Sequence, residues 1–175
     1  AQPNPEPATV AAMEEELRAL QATIQLLLLD AGGENRTGYC SDIPRSWPVS
    51  GRFTGDAARI YDIVLAAEKA SIELVQTGVR FRDIHLESCR VIAEGLVDMK
   101  ILRGKPADLV EAGAHALFFP HGVGHLIGLD VHDMEDLGDL AGYAHGRTRD
   151  DRLGWNALRM DRPLEENMVI TIEPG

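Results

Sequence analysis

The sequence predicts an α+β fold, and three observations support this prediction. A run of four leucines, Leu26–Leu29, is followed by Gly32-Gly33, as at the end of a short strand. The β-branched run Met168–Ile172 indicates a second strand. Residues 55–99 between them repeat apolar side chains every three or four positions, which is typical of helices. The chain of 175 residues is long enough to bury one core.

The first half of the chain contains several predicted elements in sequence order. The pattern predicts an amphipathic helix over 8–23 and a buried strand at the leucine run, although leucine also favours a helix there. Residues 37–44 read as a return strand. Helices are predicted over about 55–77, capped by Thr54, and over about 82–99, and a short helix follows Pro106.

The character of the sequence changes after Gly113. Residues 117–131 are rich in glycine, histidine and apolar side chains and have no helical period, and the polar residues 136–156 predict a long loop. Met168–Ile172 is the clearest strand in the chain, and Glu173 and Pro174-Gly175 follow it directly.

Composition excludes several classes of function. A net charge of −11 argues against a nucleic-acid partner, which would require clustered basic residues. No apolar run is long enough to span a bilayer, so no membrane association is predicted. Cys40 and Cys89 are too few for a disulfide framework and favour a reducing, cytoplasmic compartment.

Two aspartates stand at the strands near the N-terminus. Asp30 ends the leucine run, and Asp42 lies in the return strand. If these strands pair as a hairpin, both carboxylates can point to the same side. A buried acid is costly unless it is paired or coordinates a metal. The alternative is that each aspartate only caps a helix or stabilises a turn.

Histidines and one glutamate complete a possible ligand set. His121, His125 and His132 fall in one glycine-rich stretch, and Glu173 ends the later strand. Alone, each could be an ordinary structural residue. Together with Asp30 and Asp42, they offer the mixed oxygen and nitrogen donors that suit Mn²⁺, Co²⁺, Fe²⁺ or Zn²⁺.

Several motifs resemble those of prolidases (Xaa-Pro dipeptidases) and aminopeptidase P, in the same order along the chain. The motifs are Asp30-Ala31-Gly32, Gly38-Tyr39-Cys40-Ser41-Asp42-Ile43-Pro44-Arg45, Phe118-Phe119-Pro120-His121-Gly122-Val123-Gly124-His125, Asp130-Val131-His132-Asp133 and Thr171-Ile172-Glu173-Pro174-Gly175. The resemblance covers about residues 25–175. It implies a pita-bread catalytic domain, a curved and mostly antiparallel sheet with helices on its outer side.

The resemblance also implies roles for individual residues. Asp30 would chelate one of two divalent metal ions, Asp42 would bridge both, and His125 and Glu173 would bind the second. Manganese is the favoured metal, with cobalt or zinc as alternatives. A hydroxide held by the two ions would attack an Xaa-Pro bond, and Glu173 would also move a proton.

Three further residues are implied to contact the substrate, a proline-containing dipeptide or short peptide. His132 would stabilise the tetrahedral intermediate, and His121 would lie behind the metal or in the proline pocket. Arg159 would bind the carboxylate of a dipeptide, which favours a dipeptidase over an aminopeptidase.

The chain also departs from the resemblance. Residues 1–24 form a leader and helix of unclear origin, and Pro44 stands where threonine is usual. A fifth ligand, a glutamate, is expected downstream of Gly175, so a partial catalytic domain, incomplete at both ends, is expected over 25–175. The alternatives are a peptide-binding module without catalysis and a creatinase-like hydrolase on the same fold.

Uncovered sheet edges and apolar faces predict association with another chain, most simply as a homo-oligomer. Sedimentation velocity tests this expectation. We expect a dimer or larger species, and a single, stable monomer across the concentration range would contradict it.

Overall fold

The computed structural model describes residues 25–175. The predicted leader and amphipathic helix over 1–24 lie outside the described residues. The elements are, in order, four strands, β1 (Leu26–Leu29), β2 (Gly32–Glu34), β3 (Cys40–Asp42) and β4 (Arg45–Pro48), then four helices, α1 (Gly55–Glu73), α2 (Phe81–Asp98), α3 (Pro106–Glu111) and α4 (Asp139–Gly142). Short 3-10 turns occupy Ala114–Leu117 and Glu135–Leu137.

The four strands form one long antiparallel hairpin. β1 pairs with β4 and β2 pairs with β3, and Leu29↔Arg45 and Gly32↔Asp42 belong to the same register. The N–H of Ile43 donates to the carbonyl of Ala31 (3.1 Å), which continues the pairing between the two halves. The predicted return strand is therefore confirmed, but the turn lies at residues 35–38 rather than at Gly32-Gly33.

The leucine run is a strand, as predicted, but its burial was wrongly predicted. Leu28 is 67% exposed, and the other three leucines of β1 are also exposed. Each face of this two-stranded ribbon lacks a covering layer from residues 25–175. A strand requires a second layer to bury its side chains.

Helices α1 and α2 were predicted nearly at their observed positions. α1 begins after Thr54 as expected, although the Thr54 side chain makes no capping hydrogen bond within the described residues. It ends at Glu73, earlier than predicted, because turns at Leu74 and Val75 close it. Among residues 25–175, no helix has the length and apolar composition required to cross a membrane.

The core is centred on α2. Phe81, Ile84, Ile92 and Leu96 are at most 5% exposed and recur at helical spacing on one face. They pack with buried side chains from the later segments, namely Phe119, Val123, Leu158, Met160 and Leu164. The helical pair therefore supports the segments that carry the histidines.

The predicted strand Met168–Ile172 is not a regular strand. Residues 169–173 run antiparallel to 123–127 with one isolated bridge, Leu126↔Ile170. Only half of the hydrogen bonds of a regular antiparallel ladder join two backbone groups here. The Thr171 N–H donates to the carbonyl of His125 (2.9 Å), and the Glu173 N–H donates to the carbonyl of Val123 (2.7 Å). The reciprocal donor, the N–H of His125, instead bonds the Thr171 hydroxyl (3.0 Å). The threonine side chain thus replaces a ladder carbonyl.

The predicted loop over 136–156 is mostly irregular but begins with α4. It is tied to the following residues by a bridge between Tyr143 and Asp161. Asp161 also pairs with Arg80 at the start of α2 (2.6 Å) and is only 5% exposed. Arg147 of the loop contacts the same carboxylate (3.4 Å), so this partly buried set of charges connects the loop to the start of α2.

Gly95 of α2 packs directly against Ile63 of α1. A Cβ at this position would lie 2.5 Å from Cγ1 and 2.8 Å from Cγ2 of Ile63, atoms near a stiff, β-branched backbone junction. Helix propensity alone would favour Gly95→Ala by about 1 kcal/mol. Overpacking costs about 1–3 kcal/mol, and we expect it to dominate.

Gly95→Ala is therefore expected to lower the free energy of unfolding by up to about 2 kcal/mol. Chemical denaturation measures the change. The control is the double variant Gly95→Ala, Ile63→Ala, in which the new methyl group has room, so the two substitutions should be strongly non-additive. A stabilised Gly95→Ala variant would contradict the close helix contact.

Candidate metal centre

Residues 123–128 lie between two other segments. On one side, the N–H of Cys40 in β3 donates to the carbonyl of Gly128 (2.8 Å). On the other side, the same stretch pairs with residues 169–173. His125 is thereby placed between Asp42 of the hairpin and Glu173 of the last segment. Residues distant in sequence meet because backbone hydrogen bonds join the three segments.

Asp42, His125 and Glu173 form a compact cluster. His125 Nε2 lies 3.3 Å from Asp42 Oδ2 and 3.1 Å from Glu173 Oε1. His125 is 4% exposed. The three possible ligand atoms lie within 4.8 Å of one another.

The orientation of His125 leaves Nε2 directed at the carboxylates. Its Nδ1 lies 2.8 Å from the carbonyl oxygen of Leu126, so the Nδ1–H can donate there. Such a bond fixes the tautomer of a metal-binding histidine and frees the other nitrogen. Burial lowers the pKa of His125, but the hydrogen bond and charge of Glu173 and the charge of Asp42 raise it above its ordinary value.

The pKa values of the two carboxylates shift in opposite directions. Burial raises the pKa of Asp42, and the negative charges of Asp30 and Glu173 raise it further. Burial also raises the pKa of Glu173, but hydrogen bonds from His125 and Thr171 outweigh it, and the net pKa lies below the ordinary range. Crowded carboxylates of this kind are stabilised by a cation.

Asp30 lies beside this cluster but outside its tightest group. In the hairpin register, Asp30 is opposite Pro44 and diagonal to Asp42, and side chains at these alternating positions share one face. The prediction that both aspartates point to one side is therefore consistent with the register. The side chain of Asp30 is exposed, unlike that of Asp42.

The usual threonine of this motif is replaced by Pro44 without loss of pairing. Ile43 and Val49 donate their N–H groups toward β1 or its flank, so the even-numbered residues between them point theirs away. Pro44 occupies such an outward position. A residue without an N–H costs no cross-strand bond there.

Thr171 is a site residue to which sequence reasoning assigned no role. Its hydroxyl donates to Glu173 Oε1 (2.7 Å) and accepts from the His125 N–H (3.0 Å). One side chain thus positions two ligand candidates. The sequence alone could have indicated the contact between Thr171 and Glu173, because residues two apart lie on the same side of an extended segment.

His132 and Arg159 lie together at the rim of the cluster. The His132 ring meets the His125 ring edge-on, with centroids 4.4 Å apart. Arg159 Nη1 lies 3.2 Å from His132 Nδ1 and donates to both carboxylate oxygens of Glu135. Glu135, which sequence reasoning did not identify, therefore holds Arg159 beside His132 at the rim.

His121 lies behind the cluster. Its Nε2 is 2.7 Å from the carbonyl oxygen of Gly175 and its Nδ1 is 2.9 Å from that of Gly122. Its ring packs edge-on against Phe119, with centroids 4.8 Å apart. The electrostatic effect of His121 is a lesser cause of the lowered pKa of Glu173.

The donor set fits a divalent metal ion. Bonds of about 2.0–2.2 Å to nitrogen and oxygen place neighbouring ligand atoms about 3.0–3.5 Å apart. The distances of 3.1 and 3.3 Å around His125 Nε2 lie in this range. The two carboxylates and one imidazole also match the donor preferences of manganese, cobalt and zinc.

The chain is similar in sequence to one family over nearly its whole length. The profile of metallopeptidase family M24 matches residues 10–175. A probable Xaa-Pro aminopeptidase of Ajellomyces capsulatus is 42% identical over 149 residues, covering 85% of this chain and 30% of the relative. A probable Xaa-Pro aminopeptidase of Botryotinia fuckeliana is 41% identical, with 85% and 31% covered. The chain thus spans about 30% of the length of these curated relatives.

Solved structures give the same result. An aminopeptidase P of Yersinia pestis has a TM-score of 0.69 and 39% identity, covering 85% of this chain and 30% of its own. Zinc-substituted Escherichia coli aminopeptidase P, in complex with product, has a TM-score of 0.69 and 38% identity, with 85% and 29% covered. This likeness confirms the predicted pita-bread fold class.

Removing the Thr171 hydroxyl tests how the cluster is positioned. We expect Thr171→Val to weaken divalent-metal binding by about 10–100-fold, because residues that orient ligands commonly contribute this much. Competition with a fluorescent chelator measures the affinity for Mn²⁺ and Zn²⁺. Thr171→Ser keeps the hydroxyl and is the matched control. Equal metal affinity of the valine variant and the native chain would refute a positioning role.

Proposed function

Because this chain belongs to metallopeptidase family M24, we propose that it is the metal-binding part of an enzyme that hydrolyses Xaa-Pro peptide bonds. The observation that carries this proposal is the convergence of Asp42, His125 and Glu173 on one point between three segments. The similar aminopeptidases support the substrate class, and the proposal extends it to this chain.

We propose two divalent ions at this centre. Asp42, His125 and Glu173 would hold one, and Asp30 would join Asp42 in holding the other. Two observations support this proposal: Asp30 and Asp42 share one face of the hairpin, and the negative charge of Asp30 raises the pKa of Asp42. The ions supply Lewis acidity, which polarises a carbonyl and makes water nucleophilic near neutral pH. Manganese is the proposed metal, with cobalt or zinc as substitutes.

The chain's own residues would supply proton transfer and charge stabilisation. The Glu173 carboxylate is held by Thr171, is only partly buried, and can take a proton from water and return it to the leaving amine. His132, stacked edge-on against His125, is placed to donate a hydrogen bond to the oxygen that gains charge. His121 is proposed to support the Glu173 segment through its contact with the Gly175 carbonyl.

Substrate length is proposed to depend on Arg159. A free guanidinium at the rim could bind the carboxylate of a dipeptide bidentately. Here Glu135 already accepts both available hydrogen bonds of Nη1. The three remaining N–H groups of Arg159, on Nε and Nη2, have no hydrogen-bond partner among residues 25–175, so a substrate carboxylate can bind there bidentately while Glu135 stays in place. We retain the dipeptide as the proposed substrate and treat tripeptides as the competing case.

Metal content and hydrolysis should be measured together on the same preparation. We expect about two manganese ions per chain after dialysis and turnover of Gly-Pro, with His125→Gln losing both. Elemental analysis and amine release are the readouts. Little or no bound metal would overturn the proposed metal centre, and bound metal without turnover of any Xaa-Pro peptide would contradict hydrolysis by this chain itself.

A comparison of peptides separates the two substrate classes. If Arg159 selects dipeptides, Arg159→Lys should raise KM for Gly-Pro by about tenfold, because a bidentate contact is lost, and leave KM for Gly-Pro-Ala nearly unchanged. Equal effects on both peptides, or a preference of the native chain for Gly-Pro-Ala, would contradict the dipeptidase prediction.

A further inference from the structure

A second cluster of metal-binding side chains lies in the core, apart from the candidate metal centre. His85 and Cys89 are one turn apart on α2, and His115 lies in the 3-10 turn Ala114–Leu117. All three side chains are 0% exposed. One ring nitrogen of each histidine and the Cys89 sulfur lie within 4.8 Å of one another.

The buried histidines have unused hydrogen-bonding atoms. Within the part of the chain that the structure describes, His85 Nδ1 and both ring nitrogens of His115 have no hydrogen-bond partner. A buried imidazole that bonds nothing costs about 1–3 kcal/mol per unsatisfied group. Trp155 Nε1, in the wall of the same cluster, also has no partner among these residues. An ion bound between Cys89 and His85 Nε2 would give one His115 ring nitrogen the partner that it lacks, while His85 Nδ1 would stay without one.

The geometry of the cluster suits coordination. Cys89 Sγ lies 3.5 Å from His85 Nε2. With metal–sulfur and metal–nitrogen bonds of about 2.3 and 2.0 Å, two ligands of one ion are separated by about 3.5 Å. Residues four apart on a helix share a face, so α2 presents both ligands together. His115 then approaches from a separate element.

The side chains around the cluster favour a monovalent ion over a divalent one. The cluster contains no carboxylate, and its walls are the rings of Phe119 and Trp155, whose centroids lie 5.3 and 5.8 Å from that of His85. Arg82 and Arg152 stack over the Trp155 ring, at 4.7 and 4.9 Å from its centroid. Arg152 is paired with Asp150 and is largely exposed, so the aromatic walls decide the cost. A divalent ion on one thiolate would leave a net positive charge among these buried rings, which is costly. A monovalent ion on the thiolate leaves none.

We propose that His85, Cys89 and His115 form a buried site for one copper(I) ion. Binding exchanges the thiol proton for the metal: the Cys89 S–H loses its proton to solvent, the sulfur binds copper(I), and the total charge of the site stays zero. Thiolate and imidazole are ligands that copper(I) accepts. The ion would join α2 to the segment that leads into Phe119 and His121, directly behind the candidate metal centre.

Copper(I) uptake by the full chain under anaerobic, reducing conditions tests this proposal. Competition with a chromophoric copper(I) chelator should give one tightly bound ion per chain. X-ray absorption of the native copper-loaded protein should show one sulfur and two nitrogen neighbours. Copper(I) binding should also raise the thermal unfolding midpoint, because only the folded chain holds the site together.

Matched variants locate the ion. Cys89→Ser should lower the copper(I) affinity about 100-fold, and His115→Gln at least tenfold. Cys40→Ser removes the chain's other thiol and should leave the copper(I) affinity unchanged. His125→Gln should lose manganese but keep copper(I), which separates failure of this proposal from failure of the peptidase proposal.

Three results would overturn the assignment. They are copper without a sulfur neighbour in the native protein, unchanged copper(I) affinity in Cys89→Ser, and tight zinc binding at these ligands without copper(I) binding. The absorption measurement requires no substitution, so the proposal stays testable even if Cys89→Ser does not fold.

Discussion

The buried imidazole of His125, set between the carboxylates of Asp42 and Glu173, is the interaction on which the remaining structure depends. Its Nε2 lies 3.3 and 3.1 Å from the two acids, which come from opposite ends of the described chain. Carboxylates crowded around one point repel each other unless a positive charge intervenes. The hydrogen bond and charge of Glu173 and the charge of Asp42 hold the pKa of His125 above its ordinary value, which favours the imidazolium, and a metal ion would supply the positive charge more strongly.

Close backbone contacts hold these charges in register. Gly124 has a φ of +156°, and a Cβ there would lie 2.1 Å from the Thr171 carbonyl oxygen, so only glycine allows the segments to meet. Gly128 similarly leaves room for the Asp133 carboxylate, at 2.5 Å from its ideal Cβ. The glycines around the histidines therefore allow these backbone segments to approach closely. The Thr171 hydroxyl accepts the hydrogen bond that the His125 N–H would give to a backbone carbonyl in a regular ladder.

The helical layer does more than form the core. α2 supplies the largest share of the core and carries His85 and Cys89 on its buried side. The Phe119 ring separates this pair from the candidate metal centre, touching His85 on one side and His121 on the other. Phe119 therefore packs in contact with both the α2 pair and His121.

The sequence by itself determined the fold class, the hairpin, both long helices and the identities of the central acids and histidine, because local periodicity and short motifs carry this information. The tertiary structure decided what depends on contacts between distant segments. It exposed the leucines of β1, replaced the strand at Met168–Ile172 with an irregular pairing, and placed Glu135 on Arg159. It also brought His115 to the pair formed by His85 and Cys89. These features arise from packing across many residues, and no period or spacing within one segment encodes them.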